Sequence, residues 1–254
     1  MNGVLLLNNN NQIMLDGSNK IYMRPLLSEN LISVWEFDET SGTTANDSHG
    51  SNDGVIGVNT DFVTGKVNGA FELRGAGANV IVDNPTMSFT NAMTINTWVN
   101  FNYESSQQHV IDLITEDETG GDSARLAIYT PSQDNTGFFA FMTIGNNSTT
   151  SGNVNSNLSV STNTWHMVTC VLDPLQTYPQ IYVNGVDATD TTGRVAFTGS
   201  GTYTVYQITM GEVYQQTISD CILDQVAVWD RALTSTEISA LYNSGNGLAY
   251  SDWA

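Results

Sequence analysis

The sequence predicts an all-β protein: a two-sheet antiparallel sandwich with one short C-terminal helix and an N-terminal β arm. Three observations predict it. About a dozen short apolar runs succeed one another from Leu31 to Trp229, nearly all separated by turn-forming residues. Only one stretch, after Arg231, changes to helical spacing. The composition suits short strands and polar turns, with 22 Gly among 254 residues and only 13% charged residues.

Residues 1–30 differ from the rest of the chain. Val4–Leu7, Ile13–Leu15 and Ile21–Met23 are short apolar runs separated by Asn8–Asn11 and by Asp16-Gly17-Ser18-Asn19. This reads as a small β meander or an extended arm with too little apolar area to stand alone. It either packs on its own domain or adds strands to a neighbour.

From Leu31 the predicted strands are Leu31–Asp38, Gly54–Val58, Ala70–Leu73, Asn79–Val82, Met93–Phe101 and His109–Thr115. Ala124–Tyr129, Phe138–Ile144, Trp165–Leu172, Gln180–Val183, Tyr203–Met210 and Cys221–Trp229 complete the set. Asn184-Gly185 is a hairpin signal, because a two-residue turn matching strand twist needs positive φ at both positions. No charged or Pro-rich linker interrupts 31–250, so 31–254 reads as one domain.

Cys221–Trp229 is apolar on both faces, the pattern of a central strand. Simple alternation puts Asp224 on one face with Ile222, Val226 and Val228. A carboxylate among apolar neighbours needs a cation or backbone donors. Thr234 and Glu237 then form a capping box, Leu233, Ile238 and Leu241 an apolar stripe, and Gly245 a stop.

Net charge is −19, from 7 basic and 26 acidic residues. Such an excess repels phosphate backbones and anionic lipid, so neither nucleic acid nor membrane insertion is expected. No apolar run reaches the length of a membrane span, and the N-terminus has no basic start followed by a long apolar stretch. Cys170 and Cys221 read as two free core thiols rather than a disulfide framework.

Six segments in order resemble the laminin-G-like jelly roll of the concanavalin A-like lectin/glucanase superfamily. They are Val34–Ala45 with Asp47-Ser48-His49-Gly50, Gly65–Phe71, Met93–Val99, Trp165–Val168, Ile181–Gly185, and the closing strand with its helix. The resemblance spans about 31–247 and implies a two-sheet jelly-roll sandwich.

Asp47–Gly54 is an oxygen-rich loop, and calcium takes six to eight hard oxygens, so a second element must help. The resemblance implies a shared structural calcium, with side chains from Asp47 and Asp224, a carbonyl from Gly50 and an oxygen from Asn52. The alternative is an Asx-type turn at Asp47 and an Asp224 bonded to backbone amides.

The superfamily also includes glucanases, which set two carboxylates across the scissile bond. The glucanase motif spaces three acids along one strand as Glu-x-Asp-x-x-Glu or Glu-x-Asp-x-Glu; Glu36 and Asp38 match the first two, but Thr40 or Ser41 stands in place of the third. The expected arrangement is aromatics inward and acids outward, without catalysis. His49, His109 and His166 show no metal-ligand spacing. For sugar binding, Tyr103, Tyr129, Phe138, Phe139, Tyr203, Tyr206 and Tyr214 are the candidate surface aromatics, while Trp35, Trp98, Trp165 and Trp229 read as core.

The functional expectation is a non-enzymatic accessory virion protein of a phage, in capsid decoration, fibre or tail. It displays a lectin-like domain, is anchored to other virion proteins through residues 1–30, and forms a homo-oligomer. It is made in the host cytoplasm without an export signal, and the chain's unprocessed Met1 fits an anchored arm. The alternative is an extracellular carbohydrate-binding adhesin for host or mucus attachment, and the third reading is a glycoside hydrolase.

Overall fold

The computed structural model describes residues 14–15, 21–22, 26–90, 92–102, 108–115, 125–130, 140–144, 150–159, 161–196, 202–211 and 220–253. The strands, in order, are β1 (Met14–Leu15), β2 (Ile21–Tyr22), β3 (Leu31–Trp35), β4 (Thr44–Ala45), β5 (Gly54–Ile56), β6 (Thr60–Thr64) and β7 (Gly69–Arg74). Next come β8 (Asn79–Asp83), β9 (Ser88–Thr90), β10 (Met93–Phe101), β11 (Gln108–Ile114), β12 (Arg125–Thr130), β13 (Ala140–Ile144) and β14 (Thr150–Asn155). The last are β15 (Trp165–Leu172), β16 (Gln180–Val183), β17 (Val186–Asp187), β18 (Thr202–Thr204), β19 (Gln207–Gly211) and β20 (Asp220–Trp229), followed by α1 (Ser235–Tyr242).

Two antiparallel sheets face each other. One runs β17-β16-β15-β10-β20-β7-β6 with β3 also on β20, and the other runs β14-β13-β12-β11-β19-β8-β5-β4. Phe71, Ile95, Val168, Leu223 and Val228 from the first sheet meet Val80, Val82, Ile111, Leu113 and Ile208 from the second in the main core. This is the predicted sandwich, stabilised by apolar burial between inner faces.

A second apolar layer lies on the outer face of the first sheet. Trp98, Met167, Ala227 and Trp229 project there and are covered by Leu27, Ile238, Leu241, Leu248 and Trp253. Trp253 stacks on Trp229 with ring centroids 5.5 Å apart. The capping box forms as expected, with Thr234 N–H donating to Glu237 Oε2 at 2.7 Å and Glu237 N–H to Thr234 Oγ1 at 3.3 Å.

Strand β20 carries the main departure from the sequence reading. Gln225 has φ 48°, and the register to β10 slips between Asn96 and Trp98, so an extra residue sits in β20. The bulge reverses the alternation. Cys221 and Leu223 face the main core, but beyond the bulge so do Val226 and Val228. Asp224 therefore shares its face with Ala227 and Trp229, not with Val226 and Val228. The bulge also marks a change of neighbour: Asp220–Leu223 pair with β7, and Val226–Trp229 pair with β3.

Other boundaries moved for local reasons. The first long strand stops at Trp35 rather than Asp38, because Phe37 turns left-handed at φ 59°. Helix α1 ends on Asn243 (φ 48°), not on Gly245. The Asn184-Gly185 hairpin has the expected positive φ at both residues, 54° and 76°.

Of the N-terminal segment, β1 pairs antiparallel with β2 in a sheet of its own; the Val4–Leu7 run lies outside the described residues. Residues 26–30 pack on the sandwich: Leu27 is buried and its carbonyl accepts the Trp229 indole N–H at 2.6 Å. Among the described residues no helix is long and apolar enough to cross a membrane. Both cysteines are free and buried, on β15 and β20, with β10 between them.

Candidate functional site

The Asp47 loop is a backbone-amide trap. Asp47 Oδ1 accepts N–H bonds from Val34 (3.0 Å), His49 (3.1 Å) and Gly50 (2.9 Å), and Oδ2 accepts that of Asn52 (3.0 Å). Gly50 is required here, since a Cβ would lie 2.6 Å from Asp47 Oδ2 and 2.7 Å from the Ile32 carbonyl. Asn52 is fully engaged as well. Its Oδ1 accepts Thr86 N–H at 2.7 Å, its Nδ2 donates to Ser33 Oγ at 2.8 Å, and its carbonyl accepts the Trp35 indole N–H at 2.8 Å.

Asp224 belongs to a different turn. Its Oδ2 accepts the Val67 N–H at 2.7 Å. Its Oδ1 is buried without a hydrogen-bond partner among the described residues. Burial pushes this carboxyl up to about 8; the Val67, Lys66 and Gln225 amides oppose the shift and nearby Asp38 adds to it. Lys66 does not pair with it and instead lies over the Trp98 ring, 5.2 Å from the centroid. Asp38 holds the far side of the turn, accepting Gly69 N–H at 2.7 Å and Asn68 Nδ2 at 3.2 Å.

The structure thus brings Asp47, Gly50 and Asn52 together but not Asp224. Strand β3 stands between them: one edge pairs with β20, and the other bridges Asp47 through Trp35. The shared calcium set does not fit these residues. The Asp47 and Asn52 oxygens face N–H donors, whose positive ends would repel a cation at the same place. Among the described residues no group of three or more His, Cys, Asp or Glu side chains is gathered as for a metal ion.

The remaining candidates separate cleanly. Trp35 and Phe37 are buried and Asp38 is exposed, so the aromatics point in. Glu36 lies beyond the end of β3. Trp98 and Trp229 are core, as expected. Tyr203 packs on the main core and stacks on Phe89, while Tyr206 is 44% exposed. The side chains of Tyr103, Tyr129, Phe138, Phe139 and Tyr214 lie outside the described residues. His49 Nδ1 meets Tyr250 Oη at 2.9 Å, and His109 Nδ1 meets the buried Asp112 at 2.7 Å.

One open concavity was not legible in the sequence. A groove of about 460 Å³ separates the β16–β17 hairpin from the C-terminal end of α1, lined by Asn184, Gly185, Val186, Ser239, Tyr242 and Ser244 among others. The Asn184-Gly185 signal located the turn but not what it faces.

Comparison with known proteins bears on this fold. A family described as the concanavalin A-like lectin/glucanases superfamily, of laminin G type, matches residues 74–239. No curated protein matches the chain. Among solved structures, the binding domain of Paraclostridial Mosquitocidal Protein 1 is similar with a TM-score of 0.65 at 15% identity, over 86% of this chain and 53% of that one. Domain 4 of AbnA, a GH43 extracellular arabinanase from Geobacillus stearothermophilus in complex with arabinotriose, gives 0.62 at 15%, over 83% of this chain and 97% of that one. Trypanosoma rangeli sialidase gives 0.62 at 14%, over 86% of this chain but only 33% of the enzyme, so the likeness spans about a third of its length.

Proposed function

The chain belongs to the concanavalin A-like lectin/glucanases superfamily, and from that premise we propose that it is a non-catalytic carbohydrate-binding module. The observation that carries this reading is where the polar groups are engaged. The carboxyl groups of Asp38, Asp47 and Asp224 hold backbone amides of the chain's own turns, while an uncharged groove stays open at the surface. Asp38, one of the two acids a glucanase site would use, is engaged by the Asn68–Gly69 turn rather than paired with Glu36 across a cleft. The likeness to AbnA domain 4, a structure in complex with arabinotriose, and to the binding domain of Paraclostridial Mosquitocidal Protein 1 supports the same reading. Binding of the purified chain to a glycan array tests it: saturable binding to defined glycans is expected, and a blank array contradicts it.

A second reading concerns where the module works. The β1–β2 pair is bonded in a sheet separate from the sandwich, which favours the segment ahead of Leu26 as an attachment arm. On this reading the chain is an accessory virion protein of a phage that displays its glycan-binding face outward as a homo-oligomer. Deleting 1–25 should abolish incorporation into particles without lowering glycan binding; unchanged incorporation would remove the arm's role.

A further inference from the structure

We propose that the groove between the β16–β17 hairpin and the end of α1 is the saccharide site, and that its ligand is a neutral sugar. The inference rests on the carbohydrate-binding reading and adds the place and the charge class of the ligand.

The lining decides the charge class. The chain carries 26 acidic and 7 basic residues, yet the groove's lining includes no ionisable group except the Tyr242 phenol. An anionic sugar would meet no cation there, and recognition of a carboxylate calls for Arg or Lys. A neutral sugar needs hydroxyl and amide partners over an apolar floor, and both are present. Ser239, Asn243 and Ser244 are exposed. Asn243 Nδ2 donates to the Gly247 carbonyl at 2.8 Å, which fixes the amide and leaves Oδ1 as an acceptor. Val186, 63% exposed, and the buried Leu248 supply apolar surface for the C–H face of a sugar ring.

The walls are pre-formed. Tyr242 stacks on Trp98 with centroids 5.7 Å apart and 22° between planes. Gly185 lies so close to Tyr242 that a Cβ would come within 2.9 Å of it. Ser244 holds a left-handed φ of 55° directly after the αL residue Asn243 that ends α1. The volume of about 460 Å³ falls within the range of small-molecule sites, roughly 300–1,000 Å³.

The test titrates the intact chain with methyl glycosides of glucose, galactose, mannose and arabinose, with the best neutral oligosaccharide from the array, and with N-acetylneuraminic acid. Tryptophan fluorescence is the readout, since Trp98 lies behind Tyr242. Ser239→Leu places a bulky side chain on an exposed helix position, and Ser244→Gly removes a hydroxyl while relieving the left-handed strain. We expect saturable binding of a neutral glycan, weakened about tenfold or more by Ser239→Leu at unchanged melting temperature, weakened also by Ser244→Gly, and no binding of the acid. Neutral binding that both variants leave intact overturns the groove but leaves the carbohydrate reading standing. Preferential binding of N-acetylneuraminic acid overturns the charge class. Absence of any glycan binding overturns groove and reading together.

Discussion

Asp224 Oδ2 accepts the Val67 backbone N–H at 2.7 Å, so a buried acid on the closing strand holds the turn that joins β6 to β7. It sits where β20 exchanges one neighbour for another, and the second carboxylate oxygen finds no partner among the described residues. Such a group favours its neutral form.

Asp224 makes stability fall as pH rises. Its folded-state value of about 8 lies above the ordinary 3.8, so the protonated folded state is the favoured one. Its contribution is complete below about pH 4 and is lost as pH rises through about 8, with a slope of up to about 1.4 kcal/mol per pH unit. Asp224→Asn removes this titration. Melting curves from pH 5 to 9 should show wild type losing stability relative to the variant as pH rises; parallel curves would contradict a neutral Asp224.

Asp47 closes its own loop, its two carboxyl oxygens accepting four backbone N–H bonds. Asp47→Ala leaves those donors without their acceptor and should cost on the order of 3 kcal/mol in denaturant unfolding. Wild type should melt at the same temperature with and without a chelator, because the loop is closed by amides rather than by a cation. A chelator-induced drop would restore the metal.

The outer layer is held by stacked indoles. Trp253→Ala uncovers Trp229 and should cost about 3–5 kcal/mol by chemical denaturation. A loss below about 1 kcal/mol would show the outer layer to be dispensable.

Cys170 and Cys221 are fully enclosed, and burial raises both thiols above their ordinary range. A thiol reagent should label neither in the native protein and both in denaturant. Rapid native labelling would contradict their place in the core.

Much of this architecture was written in local chemistry. Asn184-Gly185 announces its hairpin because left-handed φ is accessible there, and Thr234 with Glu237 announces the helix start. Apolar alternation located the central strands because both faces are buried. What escaped was non-local. Gln225 carries no mark of a bulge, since the extra residue is imposed by the switch from β7 to β3 beside it. The polar edge strand Thr60–Thr64 hides because it exposes too much surface to show a pattern. Asp47 was legible as the centre of a loop, and Asp224 as a buried acid. Which amides each would meet depended on strand order, and so did the groove, whose walls come from segments some fifty residues apart.

The function proposed for the groove is binding without turnover. Its most direct test incubates the intact chain with each glycan it retains on an array and weighs the glycan afterwards. Saturable retention is expected, with every glycan recovered at its original mass. Shortened glycans, with cleavage abolished by Glu36→Gln or Asp38→Asn, would contradict it.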